Sequence, residues 1–182
     1  MTEVLPAVTA WVSKLDPADA NYEHYVLEAL WTTWGMNAVD DKLLRQLLQA
    51  KDHRARSAAV RVLRYNWHRT PDYAALLEKA AVDPHGRVRL EAIVAAAKVK
   101  SPDAIRVALK ALDKPIDSFL DRALWLAVHA TAPQWKKAET LDAFLASLPS
   151  KHLAYLVEKD GSAELLCTVR TMVVEKGESM PT

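Results

Sequence analysis

Pro71, Pro102 and Pro133 stand 31 residues apart, each at the head of an apolar stretch patterned like a helix. A repeat of this length constrains the fold strongly. A small helical unit cannot bury its apolar face alone, so successive units must stack into a solenoid. Thr70-Pro71-Asp72 and Ser101-Pro102-Asp103 read as helix starts. The hydroxyl can accept an orphan N–H, proline occupies a position that needs no donor, and the carboxylate complements the dipole. Ala132-Pro133-Gln134 keeps only the proline, and Val39-Asp40-Asp41 only the acids. Behind these starts run single apolar stripes: Leu43, Leu44, Leu47, Leu48; Leu76, Leu77, Ala80, Ala81; Ile105, Ala108, Leu109, Leu112.

The other helix of each unit is apolar nearly all round, as expected of a helix sandwiched between neighbours. Leu27-Glu28-Ala29 returns as Leu90-Glu91-Ala92, and Arg54-Ala55-Arg56 as Arg87-Val88-Arg89, behind Asp52 and Asp83. Ala95, Ala96 and Ala97 let helices approach closely. The reading is therefore all-α: a right-handed solenoid of about five helix pairs with a period near 31 residues. Helices are expected at 3–14, 20–35, 40–50, 53–67, 71–82, 86–99, 102–112, 117–130, 134–148, 150–159 and 163–176. One domain fills 1–182, with a capping helix in 1–19 around Trp11 and Val12 and regular repeats over 20–148. A C-terminal cap covers 149–176, broken at Asp160-Gly161-Ser162 before the last helix, and a frayed tail follows over 177–182.

Composition bears on function mainly by exclusion. Lysine and arginine number 24 against 23 acids, a formal net charge of +1, without the basic excess usual in nucleic-acid binders. The single Cys167 supports no internal disulfide or cysteine-rich metal site, and reads as a small core residue. None of the six histidines forms an i, i+4 metal pair, no nucleophile elbow or phosphate loop appears, and no cofactor is expected. No signal peptide or membrane-spanning run is visible, so no membrane insertion is expected.

The stretch Asp52-His53-Arg54-Ala55-Arg56-x-x-Ala59, with its echo from Asp83 to Ala92, resembles short HEAT-like repeats. From Tyr22 to about Trp135 the chain also resembles the HEAT-like segment of large planctomycete- and verrucomicrobium-type bacterial proteins. Its anchors are Leu27-Glu28-Ala29-Leu30-Trp31, Leu43-Leu44-Arg45-Gln46-Leu47-Leu48, Ala59-x-Arg61-Val62-Leu63-Arg64-Tyr65 and Ala123-Leu124-Trp125-Leu126. In those proteins a dehydrogenase-like propeller precedes the repeats and a c-type cytochrome domain follows. The resemblance implies a non-enzymatic spacer, with a periplasmic or cell-envelope location; outside that family the location would be cytoplasmic. No Cys-x-x-Cys-His is present, so these residues attach no haem covalently.

For an interaction module, the partner being a protein or neighbouring domain, the candidate contact residues are Arg61, Arg64, Trp67, Trp31, Trp34 and Trp125. Guanidinium forks suit acidic groups and indoles offer large stacking faces; the competing reading makes the tryptophans packing wedges. In HEAT-like repeats an Asp–Arg pattern commonly forms a ladder between units, which assigns Asp52, Arg56, Asp83, Arg89 and Asp121 to structure. A rival enzymatic reading also stands. HEAT-like alkylpurine DNA glycosylases use a basic groove with tryptophans and a carboxylate, and Asp121 and Trp125 lie one turn apart.

Overall fold

Alanine, leucine and valine at helical spacing, with few glycines to interrupt them, produce a chain of α-helices. The computed structural model describes residues 3–137 and 141–178. Its elements are α1 (Val4–Val12), α2 (Tyr22–Gly35), α3 (Asp41–Leu47), α4 (His53–Asn66), α5 (Tyr73–Ala81) and α6 (Gly86–Ala96), then α7 (Ala104–Leu109), α8 (Ser118–Trp135), α9 (Leu141–Ala146), α10 (Ser150–Asp160) and α11 (Ala163–Glu178). No strand occurs among the described residues. Two 3-10 turns, Trp67–Arg69 and Lys110–Asp113, follow α4 and α7.

Helices α2, α4, α6 and α8 pack on one another in sequence, α8 then meets α10, and α5 and α7 lie against α6. The sandwiched helix is clearest in α6, where Val88, Ala92, Ile93, Ala95 and Ala96 are buried together with Arg89 and Glu91. Helix α5 buries only the stripe Leu77, Ala80 and Ala81. The first helices begin at Tyr22, His53, Gly86 and Ser118, so their spacing varies by a residue or two around the proline period. Such variation is absorbed in the loops, because each helix needs only its apolar stripe in register.

Side-chain caps open several helices. Asp40 accepts from the N–H groups of Lys42 and Leu43, Asp52 from Arg54, Asp117 from Leu120, and the His85 ring from Arg87. Asn37 takes a left-handed φ of 57° at the end of α2, a conformation asparagine tolerates better than most residues. Gly161, with φ 65°, ends α10 at the expected break.

Three expectations are corrected. Thr70 does not cap α5: it is buried, and its hydroxyl donates to the Asn66 carbonyl at 3.4 Å. The 3-10 turn before it places that acceptor within reach, and α5 starts later, at Tyr73. Ser101 does accept the N–H of Asp103, at 3.2 Å. Pro133 lies inside the last turn of α8 rather than before a new helix. The helix continues because Trp135 is fully buried and its indole donates to the Val128 carbonyl at 3.3 Å. The carbonyl that loses its helical donor to proline belongs to His129, an exposed residue that water can reach. Cys167 is exposed rather than buried, on a side of α11 where neighbouring Leu166 is exposed too. Residues 179–182 of the expected tail lie outside the described residues, while Gly177 and Glu178 belong to α11.

Candidate functional site

Packing α2 against α4 leaves a groove of about 1230 Å³ that runs to Arg87 on α6. Helix α4 reaches it with Arg54, Ala58 and Arg61, three or four residues apart and hence on one face, and then with Arg64 and Tyr65, three and four residues beyond Arg61. Helix α2 contributes His24, Leu27, Trp31 and Trp34. Trp31 is 40% exposed and Tyr65 56%, which leaves large aromatic surface open on this face. The Trp34 and Tyr65 rings lie 5.6 Å apart, and the Arg64 guanidinium sits 4.7 Å from the centre of the Tyr65 ring, a cation–π contact.

Most of the acids near this groove already hold partners. Glu23 accepts the backbone N–H groups of Lys51 and Asp52 at 2.6 and 2.8 Å. Asp52 caps α4 and takes Arg54 at 2.8 Å, and these bonds hold its carboxyl below the usual range. Glu91, buried on α6, lies beneath both candidate arginines: Arg61 donates to Oε1, and Arg64 stands 3.6 Å from Oε2. The hydrogen bond to Glu91 raises the Arg61 pKa. The Arg64 Nε is buried with no acceptor. Arg87 is exposed and has no ion pair among the described residues.

The structure thus brings Trp31, Trp34, Arg61 and Arg64 together and leaves two candidates elsewhere. Trp67, on the 3-10 turn after α4, packs 5.6 Å from Tyr73. Trp125, on α8, stacks under the Arg122 guanidinium at 4.3 Å and against His129 at 4.2 Å. Of the six tryptophans Trp135 alone is fully buried.

The Asp and Arg residues marked for a ladder form joints of differing kinds. Arg56 grips Asp83 with Nε and Nη2 at 2.7 and 2.9 Å, and its Nη1 donates to the carbonyls of Ala50 and Lys51, both at 2.8 Å. Arg89 repeats the second half of this pattern on the carbonyls of Asp83 and Pro84, but ends on the Pro115 carbonyl at 2.6 Å. Asp52 is a cap bound to Arg54 and does not meet Arg56. Asp121 reaches forward to α10, where Tyr155 Oη donates at 2.8 Å and Lys159 pairs at 3.1 Å. The Tyr155 hydrogen bond, with Lys159 behind it, lowers the Asp121 pKa, and burial raises that of Tyr155. The carboxylate of the glycosylase reading is therefore engaged between helices.

Sequence reasoning missed Glu23, Glu91, Tyr155 and the Arg45 clamp on Asp72, whose two bonds are both 2.7 Å. That clamp pulls the Asp72 carboxyl down to about 2. A signal for it was present: Arg45 and Asp72 are separated by 27 residues, the same interval that separates Arg56 from Asp83. No group of three potential metal ligands occurs among the described residues, and none of their helices is long and apolar enough to cross a membrane.

Comparison with known proteins agrees with this architecture. A family model of HEAT repeats matches residues 41–129, the stretch from α3 into α8, and supports a HEAT-like repeat protein. Repeats of this kind are generally protein-interaction scaffolds. No curated protein and no solved structure matches the chain.

Proposed function

We propose that the chain is a non-catalytic protein-interaction module whose partner seats in the α2–α4–α6 groove. The carrying observation is the convergence of Trp31, Trp34, Arg61 and Arg64 on one open surface, with Arg54 and Arg87 at its edge. Solenoids use such extended faces because stacked helices hold side chains from several units in fixed register. The repeats would wind right-handed with a period near 31 residues. The likeness of Tyr22 to Trp135 to the spacer of exported dehydrogenase–cytochrome proteins supports a finer role, holding two redox domains in fixed relation.

Two measurements test this reading. A photo-crosslinking amino acid at Trp31 should trap a defined protein, and the same group at Glu78 on α5 should not. Equal crosslinking from both positions would overturn the groove assignment. For the spacer role, the flanking coding sequence should hold a propeller upstream and a Cys-x-x-Cys-His segment downstream; other neighbours would remove it.

A further inference from the structure

We infer that the groove takes a short acidic peptide segment that also carries an aromatic side chain; this rests on the interaction-module reading above. Several guanidinium donors in the groove remain open. The Arg54 and Arg61 side chains are 75% and 51% exposed, and Arg87 is exposed without an ion pair among the described residues. All three line one groove. Their nearest acids are occupied in the fold: Asp52 by the α4 cap, Glu91 beneath two arginines, Glu23 by two backbone N–H groups. Guanidinium heads held by these internal bonds keep further N–H donors for an incoming carboxylate, which they bind in a forked geometry.

Arg54 and Arg87 also sit in the first turns of α4 and α6. Carboxylates bound there would meet the positive ends of two helix dipoles as well as the side chains. The same groove is lined by Trp31 and by the Trp34–Tyr65 pair, an apolar wall with exposed ring surface. A ligand with acids alone would leave that wall wet, and one with apolar groups alone would leave the arginines unmatched. Two features disfavour a nucleic acid: the open cations are few and interleaved with acids, and the whole chain carries a formal charge of only +1. A nucleic-acid strand presents a phosphate at every step and calls for a continuous basic track.

The test is a displayed library of random 12-residue peptides, selected on the full chain and re-assayed on an Arg54→Glu/Arg87→Glu variant. Glutamate is favourable in the first turn of a helix, so this variant should fold, as far-UV circular dichroism would verify. Expected are peptides rich in Asp or Glu with at least one Trp, Phe or Tyr. Their binding should weaken at least tenfold in the double variant, at least threefold in Trp31→Ala, and progressively between 50 and 500 mM salt. Selected peptides that lack acids but still need Trp31 would overturn the acidic assignment and leave the interaction module standing. No enrichment over background on the wild-type chain would overturn both. A fluorescein-labelled 12-nucleotide single strand that binds more tightly than the best peptide would replace the peptide by nucleic acid.

Discussion

The α4 and α6 joints start alike and finish differently. In each, an arginine in the first turn of the helix donates one Nη to the two carbonyls just before that helix. At α4 the rest of the fork closes on a carboxylate, Asp83, which is largely buried as is Arg56. At α6 it closes on a lone backbone carbonyl, Pro115, and the Arg89 Nε has no acceptor. The difference separates two jobs of a repeat arginine. Gathering loop carbonyls positions the helix start, and this needs only N–H donors. Meeting a carboxylate adds charge matching in a part-buried place, where loss of one partner strands the other.

The α4 joint is expected to be the stronger of the two. Arg56→Ala should cost about 3 kcal/mol in urea unfolding, because it leaves Asp83 and two carbonyls without their donor. Arg89→Met should cost less, about 2 kcal/mol, since only carbonyls lose a partner and an unsatisfied Nε disappears. If Arg89→Met proves the costlier of the two, carbonyl gathering outweighs the ion pair. Asp83→Asn should cost about 1 kcal/mol. In a double-mutant cycle it should couple to Arg56 and show no coupling to Arg89, which uses only the Asp83 main chain.

Smaller effects come with pH. His85 caps α6 and its ring lies stacked 3.5 Å from that of His53. Packing against its surroundings and then the charge of His53 lower its pKa below the ordinary 6.5. A depressed value in the folded state means that the unfolded chain binds the proton more readily. The stabilisation is therefore complete above pH 6.5 and is lost as pH falls below it. Thermal melts should show a drop between pH 7 and 5 that His85→Asn, which keeps a capping acceptor, flattens. Asp72, held at about 2 by Arg45, acts in a lower window. Its contribution is present above 3.8 and fades as pH falls towards 2, and Asp72→Asn should remove that step from an acid titration.

Much of the fold was legible because stacking repeats the same demands. Apolar stripes such as Leu43, Leu44 and Leu47 lie in the core, and Ala95 and Ala96 are buried where α6 is enclosed. The candidate groove was legible in part: helical spacing put Arg61 on the same face as Arg64, but nothing local showed Glu91 between them from the next unit. That neighbour changes how the groove is best probed. Arg64→Glu would set a carboxylate against buried Glu91, so Arg54 and Arg87 are the cleaner positions to reverse.

Local chemistry settled where most helices run and which stripe each one buries, since both follow from periodicity and backbone preference within one unit. Contacts between units settled the rest. Burial of Trp135 carries α8 past Pro133, and forked arginines find partners 26 to 30 residues away. The physical reason is range. A cap or a stripe is decided within a few residues, whereas the choice of partner for a long guanidinium depends on which loops and acids the stacked neighbour brings within about 3 Å.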